Sequence, residues 1–331
     1  MTARVGDESF RTLFEPHRRS ITLHCYRMLG SLQDAEEVVQ ETLLRAWQRQ
    51  DEVRSNGAHR AWLYRIATNA CLDQLLKARR RRALPQLLVP MPSTAARLGP
   101  PADERLWVEP APDSLLDVAD DAGLRPDERA SQRESIGLAF IAALQFLSPK
   151  QRAALLLVDV LGWRPEEAAE ALEASVFSIN SLLQRARGSV AQRRERLAPE
   201  VSSSDAGLLQ RFISTWESGD LEGFASLLSD DALLSMPPQP EWYSGRDAVR
   251  QFFEMVWAAM PGERRLVPIA ANGGPAVAVY RRSQPDSAFE ATGITLLTLR
   301  EGRISHLTRF TFANLFTLFG LPLELPSDAR A

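Results

Sequence analysis

Three side chains in the first quarter of the chain have types and spacing that could do chemistry on a nucleic acid. Trp62, Arg65 and Asn69 fall at i, i+3 and i+7, so a helix places them on one face. An aromatic ring, a cation and an amide together can stack on an unpaired base, hold a phosphate and hydrogen-bond a base edge. The alternative is a buried Trp62 beside a surface Arg65. Beyond them Lys77, Arg79, Arg80, Arg81 and Arg82 form a basic run, which suits a nucleic-acid backbone as well as a plain soluble helix end.

A second group lies between residues 147 and 187. Pro165 suits the first turn of a helix, where its missing N–H is not needed, and Glu166 and Glu167 suit the positive end of the dipole. Ala168, Ala169 and Leu172 give that helix a buried side. Leu172-Glu173-Ala174 reads as a turn, and Ser175 as the N-cap of a helix continuing through Ile179, Leu182, Leu183 and Ala186. This is the geometry that lays a second helix into a major groove. An ordinary helical hairpin inside a core is the alternative.

The elements that must position the first group are three helices between residues 7 and 82. The first spans about 8 to 29 and stops before Gly30. The second begins near 31 to 34 and turns Ala35, Val38, Val39, Leu43, Ala46 and Trp47 inward at helical period. Its other side sets Leu44 among Glu37, Gln40 and Glu41, a face that is either solvated or a docking surface for a protein. The third, about 59 to 82, faces Leu63, Ile66, Ala67, Ala70 and Cys71 inward.

The 331 residues exceed a typical single domain, and 45% hydrophobic with 24% charged residues describe a globular chain. A net charge of -3 confines any nucleic-acid binding to local patches. Cys25 and Cys71 sit in apolar helical patterns and read as small hydrophobes rather than a disulfide, which fits a reducing cytoplasm. No signal peptide or membrane-spanning run is visible.

Here the residues carry a resemblance. Asp34-Ala-Glu-Glu-Val-Val-Gln-Glu-Thr-Leu-Leu-Arg-Ala-Trp47, then Ala61-Trp-Leu-Tyr-Arg-Ile-Ala-Thr-Asn-Ala-Cys-Leu-Asp73 and the arginine run, resemble region 2 of an extracytoplasmic-function sigma factor of bacterial RNA polymerase. Leu147-Ser-Pro-Lys-Gln-Arg152 and Gln184-Arg-Ala-Arg187 resemble region 4 of the same family. The two matches lie in the family's order over roughly the first 195 residues.

The resemblance implies roles by position. Asp34, Glu37, Gln40, Glu41 and Leu44 would dock on the clamp coiled coil of the polymerase's largest subunit. Trp62, Arg65 and Asn69, with Arg79 and Arg80, would face the minus-10 element, where a strand is opened and a base captured outside the stack. Ser175, Phe177, Ser178, Asn180, Ser181, Gln184, Arg185 and Arg187 would meet the minus-35 element, with Lys150 and Arg152 also offering cations to phosphates. The family often has Lys or Arg where this chain has Asn180 and Leu182, so the promoter sequence does not follow. Residues 128 to 197 would make region 4, with a helix from about 126 to 146 preceding the segment from 147 to 187.

Between the two regions, prolines at 85, 90, 92, 100, 101, 110, 112 and 126 make residues 83 to 127 an extended linker. Inside it, Leu106-Trp-Val-Glu-Pro110 and Pro112-Asp-Ser-Leu-Leu116 are more apolar than a free linker requires and read as a docking strip for the C-terminal domain, the alternative being a small local cluster.

After Ser202-Ser-Ser204 the pattern changes. Helices at 208 to 218, 221 to 228 and 246 to 258 and strands at 232 to 236, 264 to 271, 276 to 282, 289 to 300 and 303 to 312 predict an α+β domain over about 205 to 320. Phe212-Ile-Ser-Thr-Trp-Glu-Ser-Gly-Asp220, Tyr243-Ser-Gly-Arg-Asp-Ala-Val249 and Leu299-Arg-Glu-Gly-Arg-Ile304 resemble the SnoaL-like branch of the NTF2-like cone-shaped fold. Trp216, Met236, Trp242, Phe253, Trp257, Tyr280 and His306 are candidates to line its pocket, though most such residues serve as core. Some members of that fold are enzymes pairing an Asp with a His, but no spacing brings Asp231 to His306. The chain is therefore expected to be no enzyme, with no cofactor and no metal. Its expected partners are core polymerase, promoter DNA and its own C-terminal domain, which would modulate the sigma regions. The competing reading is a small-molecule sensor or enzyme in the C-terminal pocket with DNA binding as output; truncation after about residue 200 separates the two.

Overall fold

The computed structural model describes residues 14–49, 59–77, 82–88, 92–93, 100–103, 107–116, 136–194, 206–312 and 314–327. Arg79, Arg80, Arg81, Leu106 and the boundary at 202 to 204 lie outside them. Two compact units are formed: the described parts of 1–82, 108–110 and 114–194, and those of 83–107, 111–113 and 195–331.

The first unit is all-α. A short 3-10 turn, Glu15–His17, leads into α1 (Arg18–Leu29), which ends where Gly30 takes the left-handed φ of 72° and donates to the Tyr26 carbonyl oxygen at 2.7 Å. Ser31 then caps α2 (Leu32–Gln48) by accepting from the Asp34 N–H. With α3 (His59–Lys77) these helices bury Ala35, Val38, Val39, Leu43, Ala46, Leu63, Ala67 and Cys71, as their periodicity requires. Trp47 departs from that reading: it is 47% exposed, one turn along from Leu44. Cys25 and Cys71 are free and buried.

Further helices of this unit follow among the described residues. After α4 (Leu138–Leu144) come α5 (Pro149–Leu155), started by a Ser148–Gln151 capping box, and a π-helical turn, Leu156–Val160. Pro165 occupies the first turn of α6 (Pro165–Ala171), and Glu173 makes the connecting turn with φ 49°. The Ser175 hydroxyl accepts from the Ser178 N–H at 3.2 Å at the start of α7 (Val176–Arg194).

His24 is buried in this unit, with Nε2 2.9 Å from Thr68 Oγ1. Since that hydroxyl already donates to the Tyr64 carbonyl oxygen, the imidazole is the donor. Burial, and then Arg27, hold its pKa down to about 3. The unfolded chain takes up this proton near pH 6.5 and the folded chain does not, so stability present at neutral pH is lost as the pH falls below 6.5. The slope approaches ~1.4 kcal/mol per pH unit. Urea unfolding at pH 7 and pH 5.5 checks this: His24→Gln should lose less stability over that interval than the native chain, and equal losses would refute the argument.

The second unit is α+β. Helices α8 (Ala206–Ser218), α9 (Leu221–Ser226) and α10 (Arg246–Ala259) cover one face of a sheet ordered β2-β1-β6-β5-β4-β3. Its strands are β1 (Leu228–Ser235), β2 (Trp242–Ser244), β3 (Glu263–Ala271), β4 (Gly274–Arg282), β5 (Phe289–Arg300) and β6 (Arg303–Phe310), with β7 (Glu324–Leu325) on β5. Pairing is antiparallel except between β1 and β6. Asn272-Gly273 and Glu301-Gly302, all left-handed, turn the hairpins β3–β4 and β5–β6. A last helix, α11 (Asn314–Leu318), follows β6.

Candidate nucleic-acid interface

In α3, Arg65 and Asn69 are partly exposed, whereas Trp62 is only 9% exposed and its ring is tilted over Phe14 with centroids 6.1 Å apart. The three residues share a side of the helix, yet the indole is largely spent on packing. Arg65 is not bare either: its Nη1 lies 3.9 Å from Glu170 Oε1 on α6. Beside it Tyr64, unassigned from the sequence, is buried edge-on against Trp163 and His24.

On α2, Glu37, Gln40 and Glu41 are exposed and Leu44 is 55% exposed, so this face is open to a partner. Glu41 is tied to Arg45 one turn on, at 2.5 Å. Asp34 is partly buried and accepts from Arg82 Nη2 at 2.8 Å. The last of the basic run therefore serves this helix start instead of pointing at a nucleic-acid backbone.

Helix α7 has two sides. Ile179, Leu183 and Ala186 are buried, and Phe177, Asn180, Gln184, Arg185 and Arg187 are exposed, with Phe177 at 85%. Ser178, Ser181 and Leu182 are intermediate. Arg187 is engaged by Asp159, which it meets through two bonds at 2.7 and 2.9 Å, and that pair raises the guanidinium pKa. Lys150 is exposed. Arg152 overturns its expectation as a phosphate cation, being 3% exposed. Its guanidinium donates to the carbonyl oxygens of Met28, Gln145 and Leu147 and to Gln145 Oε1.

The linker strip divides. Val108, Glu109 and Pro110 belong to the first unit, where the Glu109 N–H donates to the Gly30 carbonyl oxygen at 2.9 Å and Glu109 Oε2 accepts from the Leu32 N–H at 3.0 Å. Burial pushes the Glu109 carboxyl pKa up, against the pull of Arg82. Trp107 belongs to the second unit, as does Ala111, whose N–H donates to Asn272 Oδ1 at 2.9 Å.

The pocket residues also divide. Trp216, Met236 and Phe253 join the core under the helices, with Trp257 packed against it. Tyr280 and His306 are on the opposite face of the sheet. Tyr280 packs edge-on against Phe316 and donates to the Pro322 carbonyl oxygen, while His306 Nε2 lies 3.1 Å from Ser235 Oγ. Trp242 shares a register position with Ser235 and so points to that opposite face as well. One pocket lined by all seven is thus excluded. Asp231 is exposed and paired with Arg300 at 2.5 Å, apart from His306.

Among the described residues, no helix is long and apolar enough to cross a membrane. Residues 13–81 match the family description "Sigma-70 region 2", residues 137–190 "Sigma-70, region 4" and residues 209–307 "SnoaL-like domain". The chain is 42% identical to the ECF RNA polymerase sigma factor SigG of Mycobacterium tuberculosis, over 97% of this chain and 86% of that one. It is 26% identical to the ECF RNA polymerase sigma factor SigJ of the same species, over 94% of each. The crystal structure of that species' SigJ superimposes with a TM-score of 0.62 at 23% identity, covering 94% of this chain and 98% of the other, which establishes the likeness of fold. The chain belongs to the extracytoplasmic-function sigma factors, transcription initiation factors of bacterial RNA polymerase, in a form that carries a SnoaL-like domain behind region 4.

Proposed function

We propose that this cytoplasmic sigma factor docks on the largest-subunit clamp of core polymerase through Glu37, Gln40, Glu41 and Leu44. It reads the minus-10 element with Arg65 and Asn69 and the minus-35 element with α7. The observation that carries the reading is the two-sidedness of α7: Phe177, Asn180, Ser181, Gln184 and Arg185 recur at helical spacing opposite a buried side. Phe177 suits contact with a thymine methyl and Asn180 the edge of an adenine.

Boundaries near 7–82, 83–127, 128–197 and 205–320 divide these roles. The C-terminal domain modulates the factor without chemistry of its own. Support for that comes from Asp231 and His306, which are committed to Arg300 and Ser235.

Asn69→Ala and Phe177→Ala test the two contacts separately in transcription from a cognate promoter with purified core polymerase. Neither side chain is buried, so folding is spared. Asn69→Ala should slow strand opening about tenfold at unchanged duplex binding, for the loss of roughly 1–3 kcal/mol of base contact. Phe177→Ala should weaken duplex binding and leave opening intact. Native behaviour of both variants would refute the assignment.

A further inference from the structure

Asp159 stands in the π-helical turn Leu156–Val160, one acid in the apolar run from Leu155 to Leu161, and its carboxylate meets Arg187 of α7, 28 positions along the chain. Oδ2 accepts from Arg187 Nε at 2.9 Å and Oδ1 from Nη2 at 2.7 Å, so both carboxylate oxygens grip one edge of the guanidinium. The turn that carries Asp159 is widened: the Leu161 N–H donates to the Leu156 carbonyl oxygen, five residues back, at 3.0 Å. Widened turns of this kind are frequent at functional positions.

The pair is not what holds the fold together. The side chains of Arg187 and Asp159 are 58% and 29% exposed, and an ion pair this open contributes little to stability. Its effect is on conformation, since a two-point fork keeps a long side chain in one rotamer. The held edge is Nε and Nη2. The two N–H groups of Nη1 and the second of Nη2 have no acceptor among the described residues. Along α7, Arg187 follows Asn180 by seven positions, which puts it about 10 Å further on and within about 20° of the same line. Phe177, Asn180, Gln184 and Arg187 are all exposed.

We propose that Asp159 is a specificity-determining residue, an inference that rests on α7 being the minus-35 reading helix: it holds Arg187 ready for one backbone phosphate and so sets the register in which Asn180 and Gln184 meet base edges. A recognition helix reads bases from its early turns, and phosphate contacts fix the register in which it does so. Removing the carboxylate has two opposed effects. Freeing the Arg187 rotamers costs affinity where the register matters, and deleting a negative charge beside DNA raises affinity for any duplex. Only the first depends on sequence, so discrimination falls whichever effect is larger. Nothing in the sequence set Asp159 apart, because its partner lies on another helix.

The test uses holoenzyme assembled from the full chain and core polymerase, with two promoter duplexes. One carries a minus-35 element that the native holoenzyme has selected from a random library, and the other carries the same element scrambled. Asp159→Ala should lower the ratio of selected to scrambled affinity about fivefold, the worth of one pre-ordered long side chain. In an Arg187→Ala background the same substitution should change that ratio by less than about twofold, because positioning acts only through the arginine, whereas a general loss of folding would persist. A native ratio in Asp159→Ala, or a loss as large in the Arg187→Ala background, overturns the proposal. Phe177→Ala tells this failure from a wrong reading of α7. If Phe177→Ala also leaves the ratio native, the helix does not read the minus-35 element and the role of Asp159 falls with it; if Phe177→Ala lowers the ratio and Asp159→Ala does not, the role of Asp159 alone is refuted.

Discussion

Replacing Arg152 with methionine is expected to destabilise the all-α unit by about 3 kcal/mol, because several buried carbonyls lose their donor together. An α-helix leaves its last four carbonyl oxygens without partners, and those oxygens carry the negative end of the helix dipole. At the end of α1, Gly30 turns the chain and Gln145 Nε2 reaches the Arg27 carbonyl oxygen at 3.3 Å. Arg152 takes the next oxygen, that of Met28, and binds Gln145 through both its side-chain and main-chain oxygens at 2.5 and 3.0 Å. One guanidinium thus ends α1 and fixes the turn before α5. Lysine cannot reproduce it, since a single ammonium lacks the planar fork. Thermal unfolding should show Arg152→Met lower by roughly 10 °C, with Arg152→Lys close to it. A midpoint within a degree of the native one would show that water replaces these bonds without cost.

The same residue shows where sequence reasoning reaches its limit. In Leu147-Ser-Pro-Lys-Gln-Arg152 two cations follow a helix cap, and read locally both belong at the surface. Lys150 does lie there. Arg152 is buried because its acceptor stands 124 positions earlier at the end of another helix, a pairing no local pattern contains. The caps, the inward faces of α2 and α7 and the helix-then-sheet order of the C-terminal domain were legible, since each follows from a period or a capping residue. Strand β2 has three residues, too few for alternation to register.

The face of His306 was hidden by a bulge. Thr298 pairs with His306 and Leu299 with Ile304, leaving Ser305 as the extra residue. Ile304 and Leu307 therefore both reach the core, and simple alternation along β6 misplaces what lies between them. The exposed reading side of α7 was legible from spacing; for Trp62 spacing left a stacking and a buried reading open, and the packing on Phe14, distant in sequence, decides for the buried one.

Trp107→Ala should destabilise the C-terminal unit by about 3–5 kcal/mol, the usual cost of deleting a buried aromatic side chain. Trp107 is 1% exposed and is bridged to Ala83, itself buried, in that unit. Ser93 and Ala102 donate their N–H groups to the Trp242 and Pro238 carbonyl oxygens, and Pro112 is bridged to Ala271. Several described residues of what composition presents as a free proline-rich connector are thus hydrogen-bonded into the α+β unit. A truncation after about residue 200 would strip Trp107 and Ala83 of their cover, so altered transcription by that fragment would not separate regulation from exposed apolar surface. The substitution in the full chain does separate them. Its C-terminal melting transition should fall by roughly 10 °C, and limited proteolysis should cut residues 83 to 107 faster, while the Arg152-dependent transition stays in place. A native melt and native cleavage rate in Trp107→Ala would show the indole to be dispensable, and the hold on Ser93 and Ala102 would then rest on their backbone hydrogen bonds alone.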